Sequence, residues 1–490
     1  MKTAIVIGSG FSGLSSASYL AKSGWDVTVF EKHEIPGGRA RKLEANGFIF
    51  DMGPSWYWMP DVFERYFENF GRKRSDYYSL TRLDPSYKVY WNDSEMSIPA
   101  DYDDLKHLFE TIEKDSSKKL DKYLKQAEYK YKVGIDKLVH KPGRSITEFV
   151  DWDLIKGLFK LEVFSSIRSH IQKNFQSSKL RQLLEFPVLF LGALPKDTPA
   201  LYSLMNYADI VGGTWYPENG MYSVVESMYN LAEELGVKFR FKENVIAIDV
   251  SGKMTTGVTT QNGTYKSEVV IASADYHFVD SELLPQDKRN YDERYWDERV
   301  LAPSCLLYFI GLRKKIKAIT HHSLFFDVDF DKHGDEIYVN KKWPEEPLFY
   351  VSATSVTDNT VAPEGCENLF FLIPVAAGLI GDDDNLREKY FEKIIARFER
   401  RIGENIRDHI IYKNCFGPSD FVKDYNAYKG NAYGLANTLM QTAILKPSCR
   451  SKKMNNLFYT GQLTVPGPGV PPSLISGEVV ATEVIKHFGS

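Results

Sequence analysis

The sequence has few cysteines and no long hydrophobic run. Its 490 residues include four widely separated cysteines and no C-x-x-C pair. This spacing argues against a disulfide framework or a cysteine metal site, and indicates reduced cytosolic thiols. No stretch of about 18 consecutive apolar residues occurs, so the sequence predicts no membrane-spanning helix. The N-terminal apolar run is too short for the core of a secretory signal.

Strong basic charge, internal repeats and metal-binding patterns are also lacking. The formal net charge is −4, and no basic tract accompanies a nucleic-acid motif, which argues against nucleic acid as a partner. The acidic segment 327–331 resembles a calcium loop, but Lys332 stands where glycine is needed and Tyr338 where glutamate is needed. We therefore predict no metal.

Residues 4–31 are the most informative stretch. A short apolar run meets Gly8, Gly10 and Gly13, a helical pattern follows, and a second apolar run ends at Glu31. Strand, glycine turn, helix, strand and acid together make a dinucleotide-binding fingerprint. Gly10 lets the backbone approach a pyrophosphate at the helix N-terminus, and Glu31 would accept hydrogen bonds from ribose hydroxyls. No second such motif occurs, so nicotinamide has no evident site.

Two further segments indicate which dinucleotide is bound. A glycine-arginine loop, 36–41, follows the second strand and leads into the segment 50–55. Near the C-terminus, residues 464–473 hold four prolines and two glycines between a strand and a helix predicted from Leu474; we expect them to be irregular and to place amides near a flat ligand. The order of these segments resembles the flavin amine oxidase and carotenoid desaturase superfamily.

That resemblance implies FAD as the cofactor. Arg39 and Arg41 would lie near its phosphates or flavin ring; a salt-bridged surface loop is the alternative. The implied cofactor-binding residues are Gly8, Gly10, Phe11, Ser12, Gly13, Glu31, Lys32, Gly38, Arg39, Arg41, Gly53, Pro54, Ser55, Val245, Gly461, Gln462, Gly469, Val470 and Pro471.

Several segments resemble the bacterial-type phytoene desaturases in particular. They are residues 50–55, 213–217, 220–221, 357–365, 430–435 and 461–473. The resemblance implies conversion of phytoene to lycopene by hydride transfer to FAD and loss of the adjacent proton. It also implies a long-chain isoprenoid substrate, oxygen or a quinone as electron acceptor, and a cytoplasmic protein peripheral on the inner face of the cell membrane.

Other activities remain open at this stage. Within the family they are a 1-hydroxycarotenoid 3,4-desaturase, a C30 diapophytoene desaturase and a carotene isomerase. More distant are a flavin amine oxidase and a non-enzymatic prenyl carrier, as in the guanine-nucleotide dissociation inhibitors. The number of steps, the cis/trans product and the oligomeric state also stay open.

Catalytic side chains are few because the cofactor performs the difficult step. Glu185 and Asp209 lie in apolar surroundings and are candidate carboxylates facing the substrate; hydrogen-bonded structural acids are the alternative. Some relatives carry an acid followed three residues later by arginine, but here Asp151 is followed by Leu154, so we transfer no catalytic pair.

The predicted fold class is α/β. A Rossmann-like FAD-binding domain (1–59, 216–300 and 436–490) is interleaved with a helical substrate and membrane-associating region (60–215) and a mixed-sheet substrate domain (301–435). Within the helical region, an apolar stripe from Leu154 to Phe175 is flanked by cations. It predicts either an interfacial helix or a core-packed helix with a solvated basic face.

Overall fold

The computed structural model describes residues 1–145, 148 and 165–489. The strands are β1 (Thr3–Ile7), β2 (Asp26–Phe30), β3 (Lys42–Ala45), β4 (Phe48–Asp51), β5 (Leu80–Arg82), β6 (Tyr87–Tyr90), β7 (Glu95–Ile98), β8 (Trp215–Pro217), β9 (Lys238–Arg240), β10 (Val245–Ser251), β11 (Met254–Thr260), β12 (Gly263–Lys266), β13 (Val269–Ala272), β14 (Ser304–Leu312), β15 (His322–Phe325), β16 (Phe349–Ser352), β17 (Glu367–Val375), β18 (Ile410–Phe416) and β19 (Leu457–Tyr459).

The helices alternate with these strands along the chain. They are α1 (Phe11–Lys22), α2 (Pro60–Glu68), α3 (Tyr102–Ile112), α4 (Ser116–Val133), α5 (Ile167–Asn174), α6 (Ser178–Glu185), α7 (Leu204–Ile210), α8 (Tyr222–Glu234), α9 (Tyr276–Phe278), α10 (Glu293–Asp297), α11 (Phe330–Tyr338), α12 (Asp384–Ile402), α13 (Pro418–Tyr425) and α14 (Val470–Phe488).

The first layer is a parallel sheet in the order β19-β13-β1-β2-β9. It is assembled from both ends and the middle of the chain. β1 lies at its centre, and residues 4–7 are buried, as expected for a parallel strand covered on both faces. Because parallel strands end at the same edge, the loops after β1, β2, β13 and β19 meet there.

A second sheet is mixed and has the order β18-β14-β17-β16-β15-β6-β7. β14 and β17, of nine residues each, are its longest pair. The parallel pair β6–β15 joins the segment 60–215 to the sheet of the 301–435 segment. The sequence predicted 60–215 as largely helical, and the structure adds these strands, whose short alternating patterns at 87–90 and 95–98 were not recognised.

One sequence prediction about the C-terminal segment is wrong. The last helix begins at Val470, not at Leu474, so Pro471 and Pro472 are helical rather than irregular. Proline is compatible with the first turn of a helix, because the N–H groups there have no intrahelical acceptor.

The apolar stripe from Leu154 to Phe175 falls only partly within the described residues. Residues 154–164 lie outside them. In the described part, Ile167, Ile171 and Phe175 are completely buried in the protein core. That part of the stripe therefore follows the core-packed alternative. No helix in the described ranges is long and apolar enough to cross a membrane.

Candidate active site

A cavity of about 370 Å³ opens where the loops after β1, β2, β13 and β19 meet. All of the residues predicted to bind the cofactor line it except Gly13 and Arg41. The lining residues from that prediction are Gly8, Gly10, Phe11, Ser12, Glu31, Lys32, Gly38, Arg39, Gly53, Pro54, Ser55, Val245, Gly461, Gln462, Gly469, Val470 and Pro471.

Gly10 forms the N-cap of α1 and leaves space for a ligand. Its φ of −72° is a value that any residue can adopt, so the backbone conformation does not require glycine at this position. A β-carbon built at Gly10 would meet no described protein atom within 4 Å. The side of Gly10 that any other residue would fill is therefore open cavity.

Two helix N-termini converge on this cavity. α1 begins after Gly10 and α14 begins after Gly469. Both N-caps are glycines, so neither has a side chain that could cap its helix. Ser15 in α1 donates to the carbonyl of Leu474 in α14 at 2.8 Å, which holds the helices side by side. Both helix dipoles thus present positive ends to a bound anion or an electron-rich ring edge.

Glu31 follows the carboxyl end of β2 and is held rigidly. Its Oε2 accepts hydrogen bonds from the backbone N–H and the hydroxyl of Ser9, at 2.9 and 2.8 Å. Its Oε1 accepts from the N–H of His33 at 3.0 Å. The carboxylate is buried yet lines the cavity, so its remaining lone pairs are positioned to accept from a ligand hydroxyl.

The two arginines of the glycine-arginine loop have different environments. Arg39 lines the cavity, and its buried Nε has no hydrogen-bond partner among the described residues. Burial lowers the pKa of its guanidinium, and Asp275 opposes that shift. Arg41 does not line the cavity and forms a 2.7 Å ion pair with Asp424. Of the two interpretations of these arginines, the salt-bridged loop is therefore the one that describes Arg41.

These features fit a flavin dinucleotide. The open space at Gly10 and the two helix N-termini suit a pyrophosphate, Glu31 suits a ribose, and the unused Nε of Arg39 suits an acceptor oxygen or nitrogen. They are spread along a single cavity, as a long cofactor requires.

Beyond Ser55, the cavity wall is largely aromatic and apolar. Sequence reasoning missed this part of the lining, which comprises Trp56, Trp58, Met59, Met205, Leu307, Tyr350, Leu372 and Tyr433. Asp275, also missed, follows β13 by three residues. Its position just past the carboxyl end of a parallel strand was a signal that could have identified it.

The candidate carboxylates Glu185 and Asp209 do not line the cavity. Arg168 forms a two-point ion pair with Glu185, at 3.1 and 2.8 Å. Asp209 accepts hydrogen bonds from Tyr87 at 2.8 Å and Thr214 at 3.2 Å, and burial raises its pKa to about 7. Both acids follow the structural alternative.

Comparison with known proteins identifies the family. The model of flavin containing amine oxidoreductases matches residues 11–485. A carotenoid 3,4-desaturase of Haloarcula japonica is 40% identical over 485 residues, covering 99% of this chain and 98% of that protein. A phytoene desaturase of Phycomyces blakesleeanus is 31% identical, covering 100% of this chain and 86% of that protein.

The fold also matches solved structures. An oxidoreductase from Methanosarcina mazei superposes with a TM-score of 0.64 at 15% identity, covering 98% of this chain and 100% of that chain. At this identity the likeness concerns the fold alone. With the family model and the full-length relatives, it leads to one assignment: the chain belongs to the flavin containing amine oxidoreductases and, among them, to the FAD-dependent carotenoid desaturases.

Proposed function

We propose that this protein removes two hydrogens from neighbouring carbons of an acyclic carotenoid and so forms a new double bond. The main supporting observation is that the cavity continues from the residues suited to FAD to a wall of aromatic and apolar side chains. FAD, when bound, supplies the hydride acceptor. The protein aligns the polyene along the wall and excludes water from it.

Two reactions fit this proposal. Phytoene to lycopene is the reaction implied by the sequence motifs. Desaturation between carbons 3 and 4 is favoured by a different observation, the 40% identity over nearly the whole length of a carotenoid 3,4-desaturase, compared with 31% for the phytoene desaturase. A flavin amine oxidase remains the rival outside the desaturases, and it would act on a small amine without lipid or detergent.

Expression in two pigment backgrounds tests the proposal. Cells that accumulate phytoene would form lycopene if the first reaction is correct. Cells that accumulate lycopene or its hydroxylated derivatives would form 3,4-didehydro products if the second is correct. A flavin-loaded protein that leaves the carotenoids of both backgrounds unchanged would contradict the proposed function, and turnover of amines would favour the rival.

We further propose that the protein collects its substrate from a membrane surface, on the cytoplasmic side. Carotenoids are essentially insoluble in water, so the substrate must arrive from lipid. The cations Lys156, Lys160 and Lys173 flank the predicted stripe. Reversing all three to glutamate should weaken binding to anionic liposomes by about 1 kcal/mol for each residue near the surface. Unchanged liposome binding would contradict a role for this segment.

A further inference from the structure

A chain of hydrogen-bonded side chains leads away from the aromatic end of the cavity. Ser55 and Tyr350 both line the cavity. The Tyr350 hydroxyl donates to Oγ of Ser55 across 3.0 Å and is joined to Nδ1 of His322 across 2.7 Å. His322 pairs in register with Ser352 in the adjacent strand, which places it on the same sheet face as Tyr350. The chain therefore connects the cavity to an imidazole inside the protein.

The environment of His322 leaves one of its ring nitrogens without a partner among the described residues, as does that of its neighbour His321. The side chain of His322 is completely buried, and its Nε2 has no hydrogen-bond partner among the described residues. A buried polar atom without a partner is rare and requires a reason. The imidazole is stacked on Trp56, with ring centroids 4.1 Å apart and planes 12° apart. An aromatic face at this distance would stabilise the imidazole if it became protonated.

We propose that Ser55, Tyr350 and His322 form a proton relay that takes up the proton lost from the carotenoid, a role that rests on the proposed function. Each hydroxyl oxygen can accept as well as donate. Rotation of the two O–H bonds therefore orients the chain from Ser55 towards His322.

The reaction balances with groups already named. One C–H bond of the carotenoid breaks with transfer of a hydride, and its electron pair, to FAD, which is reduced. On the neighbouring carbon, the C–H electron pair becomes the new π bond and the proton moves to Ser55. The hydroxyl proton of Ser55 moves to Tyr350, and that of Tyr350 moves to Nδ1 of His322. The carotenoid is oxidised by two electrons, and the imidazole gains one proton.

A weak base suffices for this step. A C–H bond next to a cationic carbon is strongly acidic, so the proton leaves readily once an acceptor is aligned. Burial lowers the pKa of His322 well below its usual range, so the imidazole is neutral before the reaction and does not retain the proton afterwards. When the product leaves and water enters the cavity, the proton returns along the same chain and passes from Ser55 to that water.

The test uses two variants that each keep an aromatic ring, Tyr350→Phe and His322→Phe, in the flavin-loaded protein. The second keeps a ring against Trp56. Matched controls are Tyr308→Phe, which removes a hydroxyl bonded to the Arg387 carbonyl, and His333→Phe, whose buried imidazole is bonded to the Pro374 carbonyl instead. Thermal unfolding and flavin content identify any variant that fails to fold.

The first readout separates the two hydrogens. Carotenoid is deuterated at one or the other carbon of the new double bond. In the relay variants we expect kcat to fall about 10²-fold or more, with KM unchanged, because an aligned acid or base contributes about that factor. The isotope effect should rise only for the carbon that loses the proton. The two controls should leave it unchanged.

The second readout does not depend on turnover. In protein labelled with ¹⁵N-histidine, His322→Phe identifies the His322 signals. We expect an unprotonated Nδ1 whose shift changes in Tyr350→Phe. A protonated Nδ1 would overturn the relay, as would active relay variants with an unchanged isotope effect. Wild-type protein inactive on carotenoids would instead overturn the proposed function.

Discussion

A β-carbon at Gly13 would lie 2.1 Å from the carbonyl oxygen of Gly8. The first turn of α1 therefore packs directly against the end of β1, and no side chain fits between them. The contrast with Gly10 is informative, because the space beside Gly10 is open. Two glycines of one motif, three residues apart, thus have different roles: Gly13 allows the packing, and Gly10 leaves room for the ligand.

Substitution at the two positions should separate folding from cofactor binding. We expect Gly10→Val to fold but to lose its flavin, because the new side chain extends into ligand space and its β-carbon meets no described protein atom within 4 Å. Gly13→Ala should lower the unfolding temperature even of protein stripped of flavin, because the backbone must move. Flavin absorbance and thermal unfolding with and without FAD measure both effects. A Gly10→Val protein as yellow as wild type would contradict the cofactor site.

Glu31 should matter for stability as well as for binding. Removing its carboxylate in Glu31→Ala leaves the buried N–H of Ser9 and the partly buried N–H of His33 without their acceptor. The expected cost is about 1–3 kcal/mol in unfolding free energy, with a further loss in FAD affinity. Glu31→Gln keeps one acceptor oxygen and should be intermediate in both. Chemical denaturation of the flavin-free protein checks the first effect, and titration with FAD checks the second. An unchanged denaturation midpoint in Glu31→Ala would contradict this account.

Asp209 should affect stability with pH rather than catalysis. Burial raises its pKa to about 7 from 3.8, so the folded state binds the proton more tightly than the unfolded state. The stability that Asp209 contributes to the folded state in its protonated form is therefore fully present below about pH 4 and is lost as the pH rises to about 7. Over that window Asp209→Asn should gain stability relative to wild type, by about 4 kcal/mol at most.

Desaturation should continue in Asp209→Asn, since the residue does not line the cavity. Denaturation curves at pH 5 and pH 8 check the stability change, with Asp103→Asn as an exposed control, its side chain 85% accessible. A complete loss of turnover in folded, flavin-loaded Asp209→Asn would restore the catalytic interpretation.

Turnover should not need nicotinamide. Only one dinucleotide fingerprint occurs in the sequence, so the electrons must pass from FAD to oxygen, a quinone or another acceptor. Under anaerobic conditions, addition of the carotenoid alone should bleach the flavin once, and addition of a quinone should restore its colour. A strict requirement for NAD(P)⁺ as the stoichiometric oxidant would contradict this prediction.

The N-terminal motif could be interpreted from sequence because its physics is local. The turn at Gly8, the start of α1 and the position of Glu31 after β2 all follow from about 30 consecutive residues. The start of the last helix was predicted too late because its prolines suggest an irregular loop. Proline is tolerated in a first helical turn, but composition alone does not show where that turn begins.

The roles of single polar residues were decided by the tertiary structure. Arg41 forms an ion pair with Asp424, and Asp209 accepts a hydrogen bond from Tyr87. Both pairs are far apart in the sequence, and no local pattern predicts either of them. Tyr350 meets Ser55 for the same reason, since the loop after β4 must pack against β16 before their side chains share a cavity. The sequence alone determined the family, the cofactor and the nucleotide-binding turn, because short backbone motifs specify them. Only the folded chain decided which charged and aromatic side chains line the cavity, because burial and partners are set by packing between distant segments.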